Sequence, residues 1–301
     1  MRFEEAADAV VNGDAGALKD LLDEDPGLIQ ARSTREHRCT LLHYVGANGF
    51  EGYRQKSPPN AVEIAKLLLQ RGAEVDAVTS GSMGVGTTLG LVATSVHPHR
   101  ARVQIPLLET LLTYGASVDG EPGDWNPLLA ALQNDRPEAA RFLADRGAKL
   151  DLESAAGVGY LEVVKSFFND DGTLKEGATQ RQVQKGFRWA CEYGRRDVVD
   201  FLFDKGIELA AGANTGQTAL HLAAHRGQLD IMKFLIDRGA PLEVVNCYGG
   251  TVLGQALWSS EHGEPEIDFV PVAELLLAAG AKTDVYPGMK ERLEKILGRR
   301  Q

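Results

Sequence analysis

A chain of 301 residues, 44% hydrophobic and 25% charged, has the make-up of a water-soluble globular protein. Its 42 acidic side chains outnumber 32 basic ones, giving a net charge of −10, which argues against a nucleic-acid groove with its basic stripe. No stretch approaches the roughly 20 apolar residues of a membrane span, residues 1–12 carry Glu4, Glu5 and Asp8 where a secretory leader would be apolar, and the odd, widely spaced Cys39, Cys191 and Cys247 predict reduced thiols in a cytoplasmic setting.

In chain order the sequence reads as pairs of short helices. Residues 2–32 form the first pair, stopped by Asp25-Pro26-Gly27. The second (33–78) opens with CTLLHYVGANG and closes with AVEIAKLLLQRGAEVD. Between them lies an insertion, 50–60, whose Pro58 and Pro59 exclude helix. The third (79–119) has GTTLGLVATS, then an insertion at 96–106, then LLETLLTYGASVD. Its leading SGSMGVG is glycine-heavy and predicts a mobile hairpin.

The fourth pair (120–150) is NPLLAALQND followed by PEAARFLADRGAKLD, and the fifth (151–178) is LESAAGVGYLEVVKSFF. The sixth (179–213) follows a polar link over 169–185, and the seventh spans 214–245. The eighth (246–287) carries a third insertion at 261–271. Residues 288–301 place Leu293, Ile296 and Leu297 on one face, as a short amphipathic helix would.

Equivalent apolar positions are Ala6, Leu42, Leu89, Leu128, Leu152, Phe187, Leu220 and Leu253. The last two steps are 33 residues each; earlier ones run 36, 47, 39, 24 and 35. The step of 24 leaves almost no hairpin between the fourth and fifth pairs. The seventh unit is the best formed. Leu220, Ala223 and Ala224 share a helix face at i, i+3 and i+4. The small alanines admit a second helix, Leu229 to Asp237, and Gly239 ends it in a left-handed cap.

Thr218, Leu220, His221, the alanine pair, Gly227 and Gly239 resemble the ankyrin repeat, whose signature is T-P-L-H-x-A at a period near 33 residues. The resemblance implies an all-α solenoid of about eight helix-turn-helix repeats with short hairpin fingers over residues 1–287, closed by a C-terminal capping helix. Such repeats favour one continuous array over the two domains that length alone suggests.

The resemblance also implies where a ligand sits: in a concave groove between hairpin tips and first-helix faces. Carried over position by position, that groove presents Trp125, Gln133 and Asn134 from the fourth repeat, and Glu192 and Tyr193 from the sixth. The seventh contributes Asn214, Thr215, Gln217, His225 and Arg226, and the eighth Tyr248 and Trp258. Aromatic and Arg side chains are what binding hot spots favour. His43 and His221 fall where the family's structural histidine bonds the neighbouring loop, so they are not expected to act as bases or metal ligands. Cys191 replaces a packed small residue, whereas Cys39 and Cys247 fall near hairpin tips and are expected to be more exposed.

The insertions at 50–60 and 96–106 are expected side by side. Together they predict a basic–aromatic ledge of Phe50, Tyr53, Arg54, Lys56, His97, His99, Arg100 and Arg102. GVGTTLG at 84–90 lacks the lysine of a phosphate loop. The reading is therefore a monomeric scaffold or adaptor that binds another protein, with no cofactor, metal or catalysis. The competing reading is an enzyme or small-molecule binder with a pocket among Trp125, Glu192, Tyr193, His225, Arg226 and Trp258.

Overall fold

The computed structural model describes residues 2–47, 49–80, 86–121 and 126–298, so Trp125 and most of the SGSMGVG hairpin lie outside the described residues. Among the described residues there is no β-strand, only isolated bridges from Val78 to Thr87 and from Phe168 to Leu174. The chain divides into two compact units, 1–149 and 150–301. The division falls at the 24-residue step, where a linking hairpin is nearly absent.

The first unit contains α1 (Arg2–Asn12), α2 (Ala15–Glu24), α3 (Ala61–Gln70), α4 (Thr88–Thr94), α5 (Val96–Arg100), α6 (Gln104–Thr113), α7 (Pro127–Gln133) and α8 (Pro137–Asp145). It also has 3-10 turns at Pro26–Ile29, Leu41–Gly46 and Gly52–Arg54. One layer stacks α1, the Leu41–Gly46 turn, α4 and α7; a second stacks α2, α3, α6 and α8. Ala6, Leu42, Leu89 and Leu128, the equivalent apolar positions, are all fully buried at the interface of these layers. A single hairpin of two short helices could not bury them, so the neighbours supply the core.

Three local expectations are corrected. The first helix of the second repeat is a 3-10 turn, not α-helix. It ends in left-handed Ala47, and its Gly46 packs so closely on Val92 that an added Cβ would meet that side chain at 3.1 Å. The 96–106 insertion is mostly helical: the Ser95 hydroxyl accepts from His97 N–H to start α5, with Pro98 in the first turn, where proline is tolerated. Cys39 is buried, because its segment folds under the His37 ring and the Ser33 backbone.

The 50–60 insertion does not join a basic ledge. It clamps the N-terminal helix. Arg54 is buried, donating from Nε to Asp8 (2.7 Å) and from Nη1 to Glu4 (2.7 Å) and Glu51 (2.9 Å). Glu4 and Asp8 face it together because i and i+4 share a helix side. Glu51, also buried, accepts from Tyr44 Oη at 2.5 Å, lies 2.9 Å from His37 Nε2, and pairs with Arg35 at 3.2 Å. Phe50 stacks on His37 at 5.1 Å, and Lys56 bonds Asn12. Arg54 and Lys56 of the expected ledge meet α1, Arg54 on its acidic Glu4 and Asp8, a partner too distant in sequence for local reading to find.

His43 lies at the centre of this unit, fully buried. Its Nδ1 accepts from the Thr40 N–H at 3.0 Å. Burial, aided by the Arg32 charge, pushes its pKa down to about 4 against the pull of the Ala77 and Gly86 carbonyls. The folded value is below the unfolded one, so the stabilisation is present above about pH 6.5 and is lost as pH falls towards 4. Urea midpoints from pH 7 to 4.5 should show wild type losing about 2–3 kcal/mol more than His43→Gln. A constant difference across that window would contradict this burial argument.

The second unit contains α9 (Leu152–Val158), α10 (Leu161–Ser166), α11 (Gln180–Glu192), α12 (Arg196–Phe203), α13 (Ala219–His225), α14 (Leu229–Asp237), α15 (Val252–His262), α16 (Val270–Ala278) and α17 (Met289–Leu297). First helices stack in the order α9, α11, α13, α15, and α17 closes against α15 and α16. Leu152, Phe187, Leu220 and Leu253 belong to one buried cluster that runs on to Met289, Leu293 and Ile296 of α17. The capping helix therefore uses Met289 as its third buried side chain, and Leu297 is only partly buried.

The polar link is shorter than expected. Thr179 and Gln182 form a capping box, so residues 180–185 are already the first turns of α11. The third insertion shrinks likewise, since α15 runs to His262 and α16 starts at Val270. Close packing of α9 on α11 depends on Gly186, where a Cβ would stand 3.0 Å from Ala156 Cβ.

Candidate functional site

The second unit holds a cleft of about 840 Å³ where two fingers, two first helices and the C-terminal cap converge. Ligand pockets commonly span about 300–1,000 Å³. Gln217 and Asn246, with Tyr248, Gly249 and Gly250, come from the fingers; His225 ends α13; Gly254, Gln255 and Trp258 lie on α15; Tyr286 and Arg292 come from the cap.

Its floor is a ladder of polar side chains. Thr215 Oγ1 donates to Gln217 Oε1 at 2.9 Å, and Gln217 Nε2 donates to Gln255 Oε1 at 3.0 Å. Asn246 Nδ2 donates to the same Gln255 oxygen at 3.3 Å. Gln255 Nε2 donates to Ser259 Oγ at 3.3 Å, and Ser259 Oγ lies 2.7 Å from His225 Nδ1. Asn246, Gln255 and Ser259 are buried, so the ladder meets the rule that buried polar groups find partners. Ser259 beside His225 is not placed as a nucleophile: its hydroxyl is sealed below the floor, at 1% exposure.

The fingers are pinned from below. Asn246 Oδ1 accepts from the Tyr248 and Gly250 N–H groups, both at 3.0 Å, and Gly249 takes φ +80 to close the turn. Cys247 N–H donates to Thr215 O at 2.8 Å, tying the eighth finger to the seventh. His221, fully buried, bonds the Gly250 carbonyl through Nε2 at 3.3 Å while its Nδ1 accepts from Thr218 N–H, the structural role expected of it. Burial lowers its pKa despite that bond, keeping it neutral.

The rim is aromatic. Tyr248 is 76% and Trp258 46% exposed. Trp258 stacks on His262 with centroids 4.9 Å apart, the ring of His225 lying 6.3 Å away. Tyr286 approaches α15 at Gly254, where a Cβ would meet its ring at 3.3 Å. At the cap end, Arg292 donates from Nη2 to Glu261 Oε2 at 2.6 Å and from Nε to Oε1 at 3.3 Å. That fork holds the Glu261 carboxyl below its usual range.

Of the residues expected in the groove, Gln217, His225, Tyr248 and Trp258 line the cleft. Asn214 is exposed and Thr215 half-buried on the finger beside it. Glu192 and Tyr193 are a correction: both are buried, because the next repeat covers the end of α11. Gln228 Nε2 donates to the Glu192 carbonyl at 3.2 Å, and the Arg226 guanidinium sits 5.7 Å over the Tyr193 ring. Arg226 thus turns away from the cleft, while the Glu192 carboxylate comes within 4.8 Å of a His225 ring nitrogen. Gln133 and Asn134 are exposed at the end of α7 in the other unit, where Asn134 Nδ2 bonds the Ala130 carbonyl.

Sequence reading missed Asn246, Gln255, Tyr286 and Arg292. Gln255 had a signal, standing one helical turn before Trp258, and Asn246 opens an N-x-x-G turn. Tyr286 and Arg292 arrive from the cap, and no local pattern announces that.

The family model described as "Ankyrin repeats (3 copies)" matches residues 187–286, which carry most of the cleft. Among solved structures, the human ASB11 ankyrin repeat domain is 23% identical, with 92% of this chain and 98% of that chain covered and a TM-score of 0.45. No curated protein matches the sequence. With a T-x-L-H cap, paired helices and left-handed glycine stops in the places the repeat requires, residues 187–286 are built as ankyrin repeats, the family whose model they match.

Proposed function

We propose that the chain is a non-catalytic interaction module that binds another protein through the fingers and first helices of its second unit. Ankyrin repeats are in general protein-binding modules. The observation that carries the reading is the pairing of exposed Tyr248 and Trp258 above a preorganised polar floor. Large aromatics held at the edge of a cleft are where binding energy concentrates, and a floor that is already hydrogen-bonded needs little ordering on binding. The cytoplasmic, monomeric setting inferred from the sequence belongs to the same proposal.

The protein-binding reading is preferred to the enzyme or small-molecule one because the cleft's exposed groups are Tyr248 and Trp258, while Glu192 and Tyr193 are buried. Affinity capture from native lysate, followed by calorimetry on the purified partner, tests the proposal with Tyr248→Ala/Trp258→Ala. Both side chains are exposed, so the variant should fold. It is expected to weaken binding by at least tenfold, with each anchor contributing about 1–3 kcal/mol. Equal affinity for the same partner would remove the cleft from the interface.

A further inference from the structure

We propose that the cleft takes an extended peptide segment in which an acidic side chain stands beside an apolar one. The inference rests on the protein-binding reading above and adds the chemistry of the partner. Charge decides first. The protein carries 42 acidic residues and a net charge of −10, yet among the described residues no carboxylate lines the cleft, and Arg292 is its one permanently charged wall. A basic ligand would meet that cation and the polar floor along the lining, with the nearby Glu261 carboxylate already engaged by Arg292.

Arg292 is held ready rather than buried. Its fork grips Glu261 through two nitrogens, and both side chains keep between 28% and 30% of their surface in solvent. A carboxylate arriving through the cleft matches the same planar fork and exchanges with Glu261, which relaxes into water. The exchange keeps an ion pair on Arg292 throughout, so it avoids the cost of stranding a charge.

The floor supplies the second half of the recognition. Gln217 and Gln255 each use one N–H of the side-chain amide in the ladder and keep the other. Amide groups are the complement of a peptide main chain, and the ladder fixes their orientation before anything docks. An apolar side chain next to the acidic one finds Tyr248 and the uncovered edge of Trp258.

The test uses the full chain on an immobilised degenerate decapeptide library that includes phosphoserine. Wild type is expected to enrich Asp or Glu at one position at least tenfold, next to a position enriched in aromatic or branched aliphatic residues. The charge-swapped variant, Glu261→Arg/Arg292→Glu, retains the ion pair that seats the cap and is expected to select Lys or Arg at that position. Arg292→Gln serves if the swap fails to fold: it should lose the acidic preference at least fivefold and keep the apolar one.

Enrichment of phosphoserine, of basic residues or of nothing by wild type overturns the proposal, as does an acidic preference that survives the swap. Partner capture that Tyr248→Ala/Trp258→Ala abolishes and Arg292→Gln leaves intact would sink this inference while retaining the protein-binding reading.

Discussion

Arg54→Met is expected to destabilise the first unit by about 3 kcal/mol, the lower end of the cost of stripping one partner from a buried ion pair. The guanidinium joins Glu4 and Asp8 of α1 to Glu51, so its loss removes one cation from the 3%-exposed Glu51 side chain, which also meets Arg35, Tyr44, Tyr53 and His37. Met preserves volume, which separates the charge effect from a cavity.

The pH dependence has a definite sign. Burial pulls the Glu51 pKa up, but hydrogen bonds from Tyr44 and Tyr53 and the charges of Arg54 and Arg35 outweigh it, and the net shift is downward. The stabilisation is therefore complete above the unfolded carboxyl value of about 4.3 and disappears as pH falls through the lower folded value. Urea midpoints at pH 7 and pH 3 should show wild type losing more stability than Arg54→Met. Equal midpoints at pH 7 would mean the buried network contributes nothing. Hydrogen exchange should also place the fraying in α1, since each repeat leans only on its neighbours.

The larger effect is expected from Leu220→Asp. Leu220 is 1% exposed in α13, which packs between α11 and α15. A carboxylate there has no cation among the buried side chains around it, and an unpaired buried charge costs several kcal/mol even after the group neutralises itself. Because the cluster runs from Leu152 to Ile296 without a break, the damage should spread through the second unit rather than stay in one repeat. The measurement is the helical circular-dichroism signal at 25 °C, with loss of roughly half expected. A full native signal with an unchanged melting temperature would show that this position is not a shared core.

The period-33 positions were legible because they are set by local chemistry. Thr at the helix start, paired alanines and a terminal glycine each act within a few residues, and Thr218, Ala223, Ala224 and Gly239 all take the conformations their chemistry requires. The finger and helix faces followed from the same frame, which is why Gln217, His225, Tyr248 and Trp258 fall on the lining of the cleft. What escaped was long-range. Arg54 reads as a free surface cation until α1, 46 residues away, presents Asp8 to it. Arg292 reads as part of a solvated helix until its turn meets Glu261, 31 residues earlier. Glu192 and Tyr193 were lost for the opposite reason: their polarity and position at a helix end suggested exposure, and the succeeding repeat covers them.

The cysteines have a practical consequence. Cys39 and Cys191 are fully buried, and burial holds the Cys191 thiol well above its usual range, so neither sulfur is open to a reagent. Cys247 stands in water one residue before Tyr248. The wild-type molecule is thus chemically addressable at a single point beside its binding rim, and an environment-sensitive dye attached there would report occupancy in real time without any engineered handle.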